Sequence, residues 1–145
     1  KGQIVATSNY TVSYASGRKN VGSYKVTVKF KGDCKGTVTK TFQIVPKGTK
    51  ITTLKAGKKS FTAKWSRQKT QTTGYQFSYT TDKKFKKSVK TITISKNTTV
   101  QKTVKKLKSK KLYYVKVRTY KNVKINGKTT KLYSGWSAVK NVKIK

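Results

Sequence analysis

Several residue types are missing or scarce in this chain, and each absence removes a class of function. Histidine is absent, and Asp33 and Asp82 are the only acidic side chains among 145 residues. General acid–base chemistry needs a titratable group poised near neutral pH, so paired-carboxylate or histidine-based catalysis has almost no material. Cys34 is the only cysteine; it excludes a disulfide framework and a Cys-rich metal site, and it lacks the histidine partner of a thiol enzyme. Oxygen-based cation sites want clustered carboxylates, and no Gly-rich phosphate loop opens a helix. No cofactor is expected. The single proline, Pro46, excludes a proline-rich linker. No apolar run approaches the roughly 20 residues of a transmembrane segment. Methionine is absent even at position 1, so the chain is expected to be a processed or excised piece of something longer.

What is abundant is lysine. The chain carries 37 Lys+Arg and a formal charge of +35, with 33% hydrophobic residues. High charge with low hydrophobicity usually means disorder. Here, however, the apolar residues alternate with polar ones, and Val, Ile, Thr, Tyr and Phe dominate them, which is strand composition. Pro46 followed by Gly48 marks a boundary. It separates segment 1–46, which carries +7, from segment 47–145, which carries +28.

In 1–46, Tyr10 to Tyr14, Tyr24 to Phe30 and Thr37 to Val45 read as strands joined by Gly-containing turns. A sheet this small is marginal alone. Segment 47–145 reads as seven strands. Phe61, Ala63 and Trp65 share one face, as do Tyr75, Phe77 and Tyr79, and then Tyr113, Val115 and Val117. Tyr114, Lys116 and Arg118 point the other way, which alternation assigns to solvent together with Lys64. Asn126-Gly127 supplies the positive φ pair of a type I′ turn and is expected to cap a long hairpin. The whole is an all-β, two-sheet sandwich.

Leu107 followed by Tyr113, Val115 and Val117, with Trp65, the Gly74 to Tyr79 strand and Tyr133-Ser-Gly-Trp-Ser137, resembles the fibronectin type III family over about 47–145. The resemblance implies that Trp65 fills the space between the sheets and that the Tyr113 hydroxyl bonds backbone near Leu107, as a tyrosine corner. Lys108-Ser-Lys-Lys-Leu112 departs from the family, which often has Pro and Thr there. Segment 1–46, through Tyr10-Thr-Val-Ser-Tyr14, Asn20-Val-Gly22, Tyr24 to Val28 and Gly36 to Phe42, resembles the C-terminal part of a bacterial immunoglobulin-like surface repeat, as found in Gram-positive cell-surface proteins. A secreted, cell-surface or cell-wall location is implied. So is self-association by strand completion of 1–46, because an open edge invites another strand.

Two basic runs are the candidate sites. One comprises Lys83, Lys84, Lys86 and Lys87; the other Lys105, Lys106, Lys108, Lys110 and Lys111. A net charge far beyond the roughly 2–8 that solubility asks for destabilises by self-repulsion and points to an anionic cell-wall polymer or glycan as partner. Lys outnumbers Arg 34 to 3. Arginine makes the bidentate base-edge contacts, so sequence-specific nucleic-acid reading is not expected. Tyr114 and Tyr120 read as exposed aromatics, available to stack on bases or sugars or to pair across strands. The function expected is a non-catalytic structural or adhesion module that spaces domains and binds polyanions through diffuse charge. The alternatives are a nucleic-acid-binding or matrix or filament-forming protein, and an accessory domain of a larger secreted enzyme.

Overall fold

The computed structural model describes residues 4–145. After a short 3-10 turn at Thr7–Asn9, eleven strands follow: β1 (Tyr10–Tyr14), β2 (Gly22–Phe30), β3 (Thr37–Ile44), β4 (Ile51–Gly57), β5 (Ser60–Trp65), β6 (Gly74–Thr80), β7 (Lys90–Ile94), β8 (Gln101–Val104), β9 (Leu112–Ile125), β10 (Lys128–Tyr133) and β11 (Lys140–Lys143). Every pairing is antiparallel. The first three strands form a sheet of their own, in the order β1-β2-β3. The rest form two sheets: β4-β5-β8, and β10-β9-β6-β7 with β11 also on β9.

The core lies between these two sheets, where alternation predicts it. Trp65, Phe77, Tyr113, Val115 and Val117 are buried together with Phe61, Tyr75, Tyr79 and Val104. Phe61 and Trp65 project from β5; Tyr75, Phe77 and Tyr79 project from β6. Their rings meet at centroid separations of 5.5 Å (Trp65–Tyr75), 5.7 Å (Trp65–Phe77) and 5.8 Å (Phe61–Tyr79), the tilted and edge-on packing that ring quadrupoles favour. Each such ring removes a large apolar area from water, which is how a chain with one-third hydrophobic residues still builds a core. Gly74 is fixed by space: a Cβ there would collide with the Ile94 carbonyl oxygen on the neighbouring strand.

The Tyr113 hydroxyl accepts the Lys108 backbone N–H at 3.4 Å, one residue beyond Leu107, as the tyrosine corner requires. Asn126 and Gly127 both have positive φ, 50° and 77°, and Lys128 pairs with Ile125, so the hairpin forms at the expected place. Lys102 pairs opposite the fully buried Ala63 and is itself only half-buried.

The last expected strand is split into β10 and β11. Between them, residues 134–139 follow β9 without forming a regular ladder. Two serines substitute for it. Ser134 N–H donates to Thr119 O at 3.1 Å while its Oγ accepts Thr119 N–H at 3.0 Å. Ser137 N–H donates to Val117 O at 2.8 Å while its Oγ accepts Val117 N–H at 3.1 Å. The hydroxyls thereby stand in for strand carbonyls and satisfy groups whose burial would otherwise be costly.

In the β1-β2-β3 sheet, the register places Tyr10, Val12 and Tyr14 beside Phe30, Val28 and Val26, with Val38 and Phe42 beyond. The opposite face carries Thr and Lys. Val12, Tyr14 and Val38 on the apolar face are exposed. This sheet meets the sandwich through Gln71, whose Oε1 accepts Val21 N–H at 3.3 Å and whose Nε2 donates to Asn20 Oδ1 at 2.7 Å.

Candidate functional site

Two surfaces of the sandwich collect charge, and different physics builds each. The first is the outward face of β9. Lys116 and Arg118 point outward as alternation dictates, yet neither is freely solvated; both are half-buried. Because residues 134–137 bond to β9 through serines, Trp136 between them is free to lie over that face. Lys116 Nζ sits 4.0 Å from the Phe85 ring centroid and 4.8 Å from Trp136. The Arg118 guanidinium lies 4.3 Å from Trp136 and 4.0 Å from Tyr133, and Lys131 lies 5.7 Å from Tyr120. The result is a row of cations and rings in the order Phe85, Lys116, Trp136, Arg118, Tyr133, Tyr120, Lys131, in which cation and ring alternate except where Tyr133 packs on Tyr120. Such contacts contribute about 0.5–2 kcal/mol each, the more the drier they are.

Arg118 is fixed further by Gln76 on β6, whose Oε1 accepts from Nε at 2.9 Å and from Nη2 at 2.6 Å. Burial, and then the neighbouring Arg118, pull the Lys116 ammonium below its ordinary pKa. Burial likewise lowers Arg118. Two expectations are corrected here. Lys116 and Arg118 do not extend into solvent, because Trp136, Tyr133 and Phe85 cover them. Tyr120 is not exposed either: at 2% exposure it pairs across strands with Tyr133, ring centroids 5.9 Å apart, and burial raises its phenol pKa. Lys64 is exposed as expected.

The second surface is the end of the sandwich where β6 passes to β7 and β8 to β9. The first basic run occupies the β6–β7 loop. That loop is held by Asp82, whose carboxylate accepts backbone N–H groups from Lys84 at 3.0 Å, Lys86 at 2.8 Å and Lys87 at 3.0 Å. These bonds, Lys84 first, hold the Asp82 carboxyl below its usual pKa. Thr80 Oγ1 donates to Lys87 O at 2.7 Å and accepts Asp82 N–H at 3.1 Å. Phe85 and Ser88 adopt left-handed φ of 52° and 49°, a strained region for residues with a side chain. Lys83, Lys84, Lys86 and Lys87 are all exposed around this loop.

The second run occupies the β8–β9 loop. Leu107 is its buried anchor, and its N–H donates to Lys59 O at 3.0 Å. Lys106 and Lys110 are also left-handed, at 58° and 61°, and Lys110 N–H donates to Ile144 O at 2.9 Å. Lys105, Lys106, Lys108, Lys110 and Lys111 are exposed.

The two loops face one another across a cleft of about 680 Å³, lined by Lys90, Lys106, Lys108 and Lys111 with Tyr79, Tyr113, Thr80, Thr81 and Ser88. Of the nine lysines singled out in the sequence, Lys106, Lys108 and Lys111 line it; Lys83, Lys84, Lys86, Lys87, Lys105 and Lys110 do not. Lys90 was not among the nine. It lies outside both runs, and only the β6–β7 pairing, which sets Lys90 opposite Tyr79, brings it to this place.

Among the described residues no cluster of three or more His, Cys, Asp or Glu side chains could hold a metal. Among the described residues no helix is long and apolar enough to cross a membrane.

No family model matches this sequence, and no curated protein matches it. Solved structures do. The chain superposes on the FN1–FN3 domains of chicken CNTN1 with a TM-score of 0.56 at 18% identity, covering 87% of this chain and 44% of that one. This chain therefore spans less than half the length of its structural match.

Proposed function

We propose, from the premise that this chain has the fibronectin type III fold, that it is a non-catalytic structural and adhesion module which spaces domains and holds to anionic polymers through lysine charge. Segment 47–145 is read as the module, and 1–46 as part of a preceding immunoglobulin-like unit. A secreted or cell-surface setting, at the wall of a Gram-positive bacterium, suits an array of this kind. The observation that carries the reading is the imbalance of charge. Segment 47–145 has one carboxylate, Asp82, against a net +28, and that carboxylate is engaged by three backbone N–H groups. Beyond Asp82, no acidic side chain of segment 47–145 is there to counter the lysines of the two end loops.

At a screening length of about 8 Å at physiological salt, neighbouring lysines repel one another. A polyanion relieves that repulsion and releases its condensed counterions, so affinity falls log-linearly with salt whatever the polymer's sequence. The test is binding to teichoic acid, heparin and duplex DNA across a salt series. Steep and similar slopes for all three are expected, and replacing Lys105, Lys106, Lys108, Lys110 and Lys111 with Gln lowers the slope. Salt-independent binding, preference for one DNA sequence, or no binding at low salt overturns the reading.

Self-association through segment 1–46 is the second reading, favoured by the open edges of β1 and β3 and the exposed Val12, Tyr14 and Val38. Sedimentation equilibrium tests it: a monomer at high concentration, with β1 protected from hydrogen exchange, refutes it.

A further inference from the structure

We infer that the cleft between the β6–β7 and β8–β9 loops is a discrete binding site for one sugar unit bearing a sulfate or phosphate group. It presupposes the attraction to polyanions proposed above and gives that attraction one address. Four lysines, Lys90, Lys106, Lys108 and Lys111, line a concavity of about 680 Å³, which is the size of a small-ligand site. Three of them come from the β8–β9 loop and the fourth, Lys90, from β7, so strand register completes what local sequence density begins.

The floor has the second property such a ligand needs. Tyr79 and Tyr113, core tyrosines 8% and 9% exposed with ring centroids 6.4 Å apart, both line the cleft. A sugar ring offers apolar C–H faces to rings and hydroxyls to polar atoms. The Tyr113 hydroxyl accepts Lys108 N–H and so keeps its own proton to donate. Burial, and then Tyr113, raise the Tyr79 phenol, so it too remains a donor across the physiological range.

Lysine is a point charge with rotatable donors, suited to a tetrahedral oxyanion of variable orientation more than to a planar carboxylate. The walls are held in shape before any ligand arrives. Ser88 and Lys106 line the cleft with left-handed backbones; the Asp82 carboxylate closes the β6–β7 loop on itself, and Thr80 Oγ1 and the Leu107 amide tie the two loops to the body of the sandwich. A pre-shaped wall lowers the ordering cost of binding.

The experiment compares two variants that remove equal charge. K90Q/K106Q/K108Q/K111Q empties the cleft. The hairpin variant, K124Q/K128Q combined with K47Q/K50Q at the pole opposite the cleft, removes four exposed lysines, the β9–β10 hairpin tip lying roughly 40 Å away along β9 at about 3.3 Å per residue. Each protein is titrated calorimetrically with a sulfated heparin tetrasaccharide and with a phosphorylated tetrasaccharide, and its amide spectrum reports that the fold is kept.

The expected result is one-to-one binding of at least one tetramer. The cleft variant weakens it by about tenfold or more, as loss of charge-assisted contacts does, and the hairpin variant by less than about threefold, as screened distant charge does. The tighter tetramer identifies sulfate or phosphate as the preferred group. If the two variants weaken binding equally, or if long polymers bind and neither tetramer does, the cleft is overturned while diffuse attraction stands. If neither long polymer nor tetramer binds at low salt, both are overturned.

Discussion

Trp65 is the side chain whose removal tests the sandwich most directly. It is 3% exposed and packed against Tyr75 and Phe77, each wholly buried. Its indole Nε1–H is buried without a hydrogen-bond partner. Two substitutions therefore separate two terms. Trp65→Ala deletes the ring and leaves a cavity between rigid aromatic neighbours that cannot collapse into it, at a cost of about 3–5 kcal/mol. That is a large share of the roughly 5–15 kcal/mol that holds a domain together. Trp65→Phe deletes less apolar volume, at about 1–2 kcal/mol by area, and also removes the unpaired donor, whose burial costs about 1–3 kcal/mol. The two nearly cancel, so Trp65→Phe is expected within about 1 kcal/mol of the parent. Urea melts followed by far-ultraviolet circular dichroism measure both, with Trp136 fluorescence as a second probe. A Trp65→Ala variant within 1 kcal/mol of the parent refutes the packing assignment. A Trp65→Phe variant as unstable as Trp65→Ala refutes the account of the unpaired indole.

Arg118→Lys is expected to destabilise by about 1 kcal/mol, because lysine can neither bond Gln76 with a fork nor lie flat between Trp136 and Tyr133; a melt unchanged from the parent contradicts this. For Asp82, the folded pKa lies below the unfolded one, so its stabilisation is full above about pH 4 and is lost as pH falls through the lower folded value. Asp82→Asn is therefore expected to be less stable than the parent at pH 7, with the gap narrowing as pH falls below about 4; a gap that stays constant into acid refutes the mechanism. Gln71→Ala removes both side-chain bonds to Asn20 and Val21, and faster hydrogen exchange at the Val21 amide is expected with the melting of 47–145 unchanged.

The fold was legible because alternation along a strand is a geometric fact, and Phe61, Trp65, Phe77, Tyr113, Val115 and Val117 all follow it. The Asn126-Gly127 turn was legible for a similar reason, since few dipeptides accept two positive φ values. What alternation could not supply was the cover on the outer face. It assigned Lys116 and Arg118 to solvent and read Tyr120 as an exposed aromatic, because a period of two says which side of β9 a residue takes and nothing about what covers that side. The cover comes from Trp136 and Tyr133 in the split between β10 and β11, and from Phe85 in a loop, and neither position has a period. A pair of cations at 116 and 118 on an outward face, followed by Tyr133 and Trp136 after one hairpin, was the signal present in the sequence. The cleft was half legible. Dense runs marked Lys106, Lys108 and Lys111, whereas isolated Lys90 required knowledge of strand register.

The two ends of segment 47–145 also lie at opposite poles of the sandwich. Gly48 sits beside Ser134, at the pole where Ile51 pairs with Trp65. Lys145, whose carbonyl oxygen accepts Lys59 N–H, lies at the pole where Lys143 pairs with Leu112. Tension applied between these points runs along β4 and β11, lengthwise to both strands. Antiparallel ladder bonds stand perpendicular to the strands, so such a pull shears the β4–β5 and β11–β9 ladders as whole rows instead of unzipping them bond by bond. A module loaded this way yields at high force and in one event, which is the behaviour of a tether.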